Sequence, residues 1–306
     1  MDRPGGLKKH ERVVPYGGGV GIFAGILCSL AAVGLWTRGT GEPAFGSFHA
    51  LLTGGGIVFL GGMVDDARPL GPFPKFLFQF TAAVVVLLGG VHLDVKVLPV
   101  WLNLVLTILW IVGVINAVNI IDILDGLAGM ICGAAGITLA LVGLLNEDVT
   151  LAVMGTSVFA AATAFLLFNF PPAKIFMGDA GSQTLGFFLA AGTIMGSYTT
   201  FNNIALLAPV LILGVPIYDT ILVILFRLRK GRSPFRGSED HVALRLKKMG
   251  FSDRAAVGLL GGVTVCLSAA AVVAMVLRLW AALAVYAFVA VALSLFAFWI
   301  GRVKVE

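Results

Sequence analysis

Long apolar runs, separated by short polar loops, follow one another along almost the whole chain. A transmembrane helix needs about 20 mostly apolar residues. Ten runs come close to that length: 17–36, 46–64, 73–91, 98–118, 124–145, 149–168, 182–198, 203–226, 255–277 and 280–300. No run shows the strict alternation of apolar and polar positions that marks a membrane β-barrel. The pattern predicts an all-α polytopic membrane protein of about ten transmembrane helices, with residues 1–306 forming one domain.

The composition excludes two broad classes of protein. Hydrophobic residues make up 59% of the 306 residues and charged residues 12%, against roughly 45–50% and about 25% in an ordinary globular chain. So few charges cannot cover a soluble protein, and so many apolar residues are not found in a disordered one. The cysteines, Cys28, Cys132 and Cys266, lie far apart in apolar runs, which is neither a disulfide framework nor a zinc spacing.

The basic residues give an orientation to these helices. With ten spans, 18 of the 21 Lys and Arg residues lie on the side of the N-terminus, and only Arg38, Lys96 and Arg278 lie on the other. Because positive charges concentrate in cytoplasmic loops, both termini are predicted to be cytoplasmic, in the inner (plasma) membrane. The net charge of +5 comes from short loops beside apolar runs. It therefore indicates lipid headgroups and phosphorylated substrates, and not nucleic acid, as partners.

Acidic residues gather on the same predicted cytoplasmic side. A carboxylate near the end of an apolar helix is costly unless it faces a cavity, a partner or a metal. Several on separate hairpins can form a site for Mg²⁺ or Mn²⁺, which prefer oxygen ligands. The alternative is that they cap helices or pair with lysines. The residues are Asp65, Asp66, Asp122, Asp125, Asp179 and Asp219, with His241 in the last cytoplasmic loop.

Polar loop residues near these acids are candidate substrate contacts. The segment from Pro171 to Ser182 is a Gly- and Pro-containing turn that opens a helix, and free N–H groups at a helix start bind phosphate. Asn116, Asn119 and Asn169 end apolar runs, where an amide must find a hydrogen-bond partner in the protein or the substrate. The basic segment 227–254 suits either lipid headgroups or a diphosphate.

Five ordered motifs, taken together, resemble one family. They are Lys8-Lys9-His10, Asp65-Asp66 with Lys75 and Gln79, Asn116 to Leu127, Asn169 to Ser182, and Pro216 to Asp219 followed by Gly231 to Phe235 and Asp240-His241. The chain resembles the polyprenyl-phosphate N-acetylhexosamine-1-phosphate transferases, the MraY/WecA/TagO superfamily of glycosyltransferase family 4. Within it, the chain looks most like the branch that transfers N-acetylglucosamine-1-phosphate from UDP-GlcNAc to undecaprenyl phosphate.

The resemblance implies a reaction and a set of roles. A sugar-1-phosphate would pass from a UDP-sugar to undecaprenyl phosphate in the membrane, giving undecaprenyl-diphospho-sugar and UMP. This is the first membrane step of cell-wall or surface polysaccharide synthesis, such as that of lipopolysaccharide or teichoic acid. The implied cofactor is Mg²⁺, with Mn²⁺ as the alternative, and a homodimer is compatible. The implied catalytic residues are Asp65, Asp66, Asp122, Asp125, Asp179 and His241, the substrate-binding residues are Lys75, Asn116, Asn119, Asn169, Phe176 and Arg232, and the metal ligands are Asp179 and Asp122.

Three departures from the family pattern keep alternatives open. Members normally have one more span before Lys8-Lys9-His10, Ile123 stands where a glycine is usual, and only His241 of a His-x-His-His motif is present. The last departure argues against the muramoyl-pentapeptide branch. The alternatives are the same chemistry with another UDP-N-acetylhexosamine or with UDP-MurNAc-pentapeptide, an inactive scaffold and, from another class, a secondary transporter.

Overall fold

The chain folds into helices joined by short loops. The computed structural model describes residues 14–40, 45–200, 202–231, 233 and 239–303; Lys8, Lys9, His10 and Arg232 of the motifs above lie outside them. The helices are α1 (Gly18–Thr40), α2 (Phe45–Ala67), α3 (Pro72–Leu88), α4 (Val100–Ile121), α5 (Leu127–Leu145), α6 (Val149–Asn169), α7 (Gly178–Met195), α8 (Ala208–Ile212), α9 (Gly214–Arg229), α10 (Val242–Lys248), α11 (Asp253–Val276) and α12 (Leu279–Gly301). The described residues form no strand, so the all-α prediction is confirmed.

Seven helices within the described ranges are long and apolar enough to cross a membrane, and a bent pair would make an eighth. The seven are α1, α2, α4, α5, α6, α11 and α12. Every one of the ten predicted runs contains helix. However, α3 has only 17 residues, and α7 opens on a polar turn that lowers its mean hydropathy. The structure therefore supports a multi-pass membrane protein, and the count of ten spans stays a prediction.

The predicted span over 203–226 is bent in the structure and is not one straight helix. A short 3₁₀ segment, Asn203–Leu207, leads into α8, and α9 turns away from this segment by 75° after a break at Leu213. Pro216 explains the break, because its ring would clash with the carbonyl of Ile212, the last residue of α8, if the helix continued. Gly214 lets the bend approach α11, since a Cβ there would lie 2.7 Å from Leu267.

Helix α7 begins earlier than predicted and lies at the centre of the bundle. It begins at Gly178, four residues before the predicted start, so Asp179 lies in its first turn and not in a loop. Every residue from Ala180 to Thr193 is buried. A helix buried on all faces has other helices around it, and α1, α2, α4 and α6 surround α7.

Two glycine contacts set how closely α2 and α4 approach α7. A Cβ on Gly62 of α2 would lie 2.6 Å from the backbone nitrogen of Ala180, and a Cβ on Gly186 of α7 would lie 2.8 Å from Cα of Ile115 in α4. Residues four apart lie on the same helix face. The contacts therefore bring Asp66 and Asn119, each one turn further along, to the first turns of α7.

Candidate active site

The start of α7 is capped by a carboxylate from another helix. The first N–H groups of a helix have no partner inside it, and Met177, the residue before α7, offers no capping side chain. Asp66 of α2 fills this role, because its Oδ1 accepts from the N–H of Asp179 at 2.8 Å and its Oδ2 from that of Ala180 at 3.1 Å. These N–H groups are therefore occupied, and the expectation that the turn offers them to phosphate is wrong.

Gly178 makes the cap possible. Its φ of +66° lies in the left-handed region that favours glycine, and a Cβ there would collide with the Asp66 carboxylate. Both oxygens of Asp66 thus contact the α7 backbone. Asp66, grouped with Asp65 as catalytic in the sequence analysis, holds the backbone of Asp179 in this structure, and its catalytic role stays a prediction.

Removing this cap is expected to destabilise the protein. Asp66→Ala should lower the free energy of unfolding by about 1–2 kcal/mol, the usual cost of losing a helix cap, because two N–H groups lose their acceptor. Thermal unfolding in detergent measures the change. Asp148→Ala is the matched control, since Asp148 caps α6 by accepting from the N–H of Leu151 at 2.9 Å and should cost a similar amount. An unchanged melting temperature for Asp66→Ala alone would show that Asp66 does not hold α7.

A lysine lies between two carboxylates beside the capped helix. The Nζ of Lys75, near the start of α3, is 2.6 Å from Oδ2 of Asp65 and 2.7 Å from Oδ2 of Asp179. The other oxygen of Asp65 accepts from the N–H of Leu70 at 2.6 Å, which holds the turn between α2 and α3. The side chains of Lys75 and Asp179 remain about one quarter exposed, at 28% and 26%. The cluster therefore combines fixed geometry with access for a bound molecule.

Amide side chains from α3, α4 and α7 hold Asp179 in place. Asn119 donates to Oδ1 of Asp179 at 3.1 Å and to Oγ of Ser182 at 2.9 Å. On the other side, Gln183 donates to Oδ2 of Asp179 at 3.3 Å, Gln79 donates to Gln183 at 3.2 Å, and Asn116 donates to Gln79 at 2.7 Å. Buried polar groups need such partners, and the chain of bonds fixes the carboxylate.

Side-chain hydrogen bonds hold the loop between α6 and α7 in place. Asn169 accepts from the N–H of Gly126 and donates to the carbonyl of Ile175, both at 2.8 Å, so its amide joins two loops. Asp125 accepts from the N–H of Ala173 at 2.9 Å. Both side chains therefore hold the backbone of this loop.

Phe176 joins the same loop to the start of the chain. Its N–H donates to the carbonyl of Pro15 at 3.0 Å, its carbonyl accepts from the N–H of Gly18 at 3.0 Å, and its ring lies 6.0 Å from that of Tyr16. The half-buried ring is therefore held in position in front of α7.

A second cluster lies on α9 and the segment before α10. His241 and Asp219 are both buried, and Nδ1 of the imidazole is 2.7 Å from Oδ2 of the carboxylate. The neighbouring Asp240 contacts Nζ of Lys230 at 2.8 Å and Nη2 of Arg245 at 2.9 Å. Burial alone would raise the pKa of Asp240, but these two cations outweigh it and hold that pKa below its usual value.

Comparison with known proteins identifies the family. The family model described as glycosyl transferase family 4 matches residues 48–197. A probable undecaprenyl-phosphate N-acetylglucosaminyl 1-phosphate transferase of Bacillus subtilis is 31% identical over 84% of this chain and 72% of its own length. The decaprenyl-phosphate N-acetylglucosaminephosphotransferase of Mycolicibacterium smegmatis is 35% identical over 81% of this chain and 68% of its own. The chain belongs to glycosyl transferase family 4.

The family 4 match covers the Asp179 cluster completely and stops before the second one. Helices α2 to α7 lie almost wholly inside the matched residues, whereas Asp219 and His241 lie beyond them. A third relative, an undecaprenyl-phosphate alpha-N-acetylglucosaminyl 1-phosphate transferase of Pasteurella multocida, is 30% identical over 84% of this chain and 73% of its own length.

The structure of this family 4 protein brings together only part of the predicted site. One hydrogen-bonded network joins five of the predicted residues: Asp65, Lys75, Asn116, Asn119 and Asp179. Asp122 follows the end of α4, and His241 lies in the second cluster. Sequence reasoning missed Gln183 and gave Gln79 no role. It considered Ser182 only as the end of a candidate substrate-binding segment, and Asp219 only as one of the carboxylates of a possible metal site. The available signal for Gln183 was its place one helical turn after Asp179, as a polar residue in an otherwise apolar helix.

The oxygen atoms around Lys75 suit a hard divalent cation. No three His, Cys, Asp or Glu side chains form a metal-holding group in the part of the chain that the structure describes. Mg²⁺, however, commonly binds one or two carboxylates, with water and phosphate oxygens completing its shell. Asp65 and Asp179 already converge on one positive charge, so their chemistry fits the ion. Asp122, the second expected ligand, comes three residues after Asn119 in sequence.

Proposed function

We propose that this protein transfers N-acetylglucosamine-1-phosphate from UDP-GlcNAc to undecaprenyl or another polyprenyl phosphate, releasing UMP. The names of the relatives support the donor group and the lipid acceptor. The observation that carries the proposal is the Asp65–Lys75–Asp179 cluster at the ends of apolar helices. Partly exposed charges at the ends of membrane-crossing helices can contact both the phosphate of a lipid and a soluble nucleotide.

The chemistry needs positioned charge more than a covalent intermediate. An oxygen of the lipid phosphate bonds to the phosphorus that carries the sugar, and the bond from that phosphorus to the bridging oxygen of UMP breaks. Both reactants are anions, so the ammonium of Lys75 lowers their repulsion and binds phosphate oxygens. Asp65 orients that lysine, while Asn119 and Gln183 hold Asp179. Mg²⁺, held by Asp179 with Asp65 or Asp122, supplies further neutralisation of the diphosphate when bound.

The remaining residues have supporting roles in this proposal. Asp66 positions α7, and Asp125 and Asn169 shape the loop before it. Asn116 acts through Gln79. Phe176 provides an apolar wall for the nucleotide. Arg232 and His241 bind phosphate oxygens. The lipid chain of the acceptor lies in the membrane beside these helices.

The proposal also places the Asp179 cluster on the cytoplasmic face of ten spans, because UDP-sugars are cytosolic and 18 of 21 basic residues would lie there. Helix α4 has 22 residues and a length of about 33 Å, enough to separate Lys96, before its start, from Asp122, after its end.

Cysteine labelling tests this orientation. In a background without the native cysteines, Lys96→Cys should react with an impermeant maleimide in intact cells, whereas Lys174→Cys should react only after permeabilisation. Lys96 and Lys174 are both exposed, so access to the reagent depends on the membrane. Labelling of both residues from the same side would contradict the model of ten spans with one active face.

A donor panel tests the function itself. The purified protein in detergent, with undecaprenyl phosphate and Mg²⁺, is given radiolabelled UDP-GlcNAc, UDP-GalNAc or UDP-MurNAc-pentapeptide. Label should enter the organic phase with UDP-GlcNAc and only when the lipid phosphate is present. A secondary transporter would form no lipid product in detergent and, after reconstitution into sealed vesicles, would accumulate label inside them. That pair of results would overturn the proposal.

A further inference from the structure

Asp219 holds His241 through two contacts at once. Its Oδ2 lies 2.7 Å from the ring Nδ1, and its Oδ1 accepts from the N–H of Val242 at 2.7 Å. The side chains of Asp219 and His241 are only 3% and 7% exposed. One buried carboxylate therefore fixes both the imidazole ring and the backbone that follows it.

The contact decides which ring nitrogen carries the proton. A carboxylate can only accept a hydrogen bond, so Nδ1 of His241 must be the donor. Such an arrangement sets the tautomer and the orientation of a histidine, and leaves Nε2 for another partner. Nε2 has no hydrogen-bond partner among the described residues.

The segment around His241 is anchored to two helices. Asp240 pairs with Lys230 beyond the end of α9 and with Arg245 in α10. The guanidinium of Arg245 also donates to the carbonyls of Ile300 and Val303 at 3.2 and 2.6 Å, and lies 4.1 Å above the ring of Phe226. The position of His241 is thus set by the fold before any substrate binds.

We propose that Asp219 is a positioning residue that fixes the Nδ1–H form of His241 and presents Nε2 to a phosphate oxygen of the diphosphate donor. With Nδ1–H committed to Asp219, Nε2 can receive a proton from water without loss of that bond, and the carboxylate balances the added charge. Nε2–H then donates to the phosphate. The role toward phosphate rests on the proposed function, whereas the tautomer does not.

Asp219→Asn tests the tautomer of His241 separately from its role toward phosphate. The asparagine oxygen can still accept from Val242, but its NH₂ group faces Nδ1 and requires an unprotonated nitrogen there. The ¹⁵N spectrum of histidine-labelled protein reports the protonation of each ring nitrogen. The chain has four histidines, and the signal lost in His241→Gln assigns His241. We expect a protonated Nδ1 in the wild type and an unprotonated one in Asp219→Asn.

Kinetics show whether Asp219 acts through His241. Asp219→Asn should lower kcat by about 10²-fold, with KM for the UDP-sugar changed little, because the variant keeps Nε2–H as a donor but removes the carboxylate that balances a positive charge on the ring. In the His241→Gln background the same substitution should have no further effect. Asp253→Asn is the matched control, because Asp253 pairs at the surface with Lys247 and should leave both constants unchanged.

Two results would overturn the proposal. One is an unprotonated Nδ1 of His241 in the wild type. This measurement does not depend on Asp219→Asn, so it decides the question even if that variant fails to fold. The other is an equal loss of kcat from Asp219→Asn in the wild-type and His241→Gln backgrounds. Absence of transfer by the wild type would instead contradict the proposed function and leave the spectrum to decide the tautomer.

Discussion

Asp179→Asn should reduce sugar-phosphate transfer by at least about 10³-fold, because it removes charge at the centre of the site with little change in shape. The carboxylate of Asp179 pairs with Lys75 at 2.7 Å and accepts from Asn119 and Gln183. An amide keeps the volume but cannot balance the lysine or bind a divalent cation as strongly. Initial rates in detergent, measured over a range of Mg²⁺ concentrations, record the loss.

Asp94→Asn provides the matched control for this substitution. Asp94 also pairs with a lysine, Lys96, at 3.2 Å, but both side chains are mostly exposed and lie away from α7. This variant should keep full activity. Asp179→Asn could instead retain a sizeable fraction of transfer, with the same Mg²⁺ dependence as the wild type. That result would show that Asp179 is not part of the active site.

Lys75→Met is expected to have the second largest effect. Without the ammonium, Asp65 and Asp179 face each other with no positive charge between them, and like charges at close range repel strongly where water is scarce. Transfer should fall by about 10²–10³-fold, the loss typical of one electrostatic contact to the reacting groups. The melting temperature should fall as well.

A second substitution distinguishes the loss of transfer from the loss of stability. In the Asp65→Asn background, Lys75→Met should cost less stability, because the repulsion is gone, while transfer stays low. Lys96→Met is the surface control and should change neither property. An equal loss of stability in both backgrounds would mean that Lys75 does not act by separating the two carboxylates.

The apolar pattern was enough to locate the long helices but not their ends or bends, nor the short helix α10. The start of α7 could not be read locally, because its capping group, Asp66, lies 113 residues before Asp179 in the chain. The bend at Leu213 could have been predicted, since Pro216 cannot continue a helix that contains Ile212.

The site was predictable to the extent that its residues stand in recognisable motifs. Asp65, Lys75, Asn119 and Asp179 were all chosen from the sequence, and the structure joins them. Which carboxylate meets the substrate and which holds a helix depends on the packing of α2 against α7. That packing relies on Gly62, and spacing along the chain does not reveal it. The Asp219–His241 pair likewise forms only when α9 and α10 are folded together.

The masses of the two products made from UDP-GlcNAc and undecaprenyl phosphate test the central claim most directly. Transfer of a sugar-1-phosphate gives undecaprenyl-diphospho-N-acetylglucosamine and UMP, and a radioactive β-phosphate in the donor must appear in the lipid. Transfer of the sugar alone would give undecaprenyl-phospho-N-acetylglucosamine and UDP, with the label left in the nucleotide. We expect the diphospho lipid and UMP from the wild type and neither from Asp179→Asn. The monophospho lipid with UDP, or no lipid product, would contradict the account.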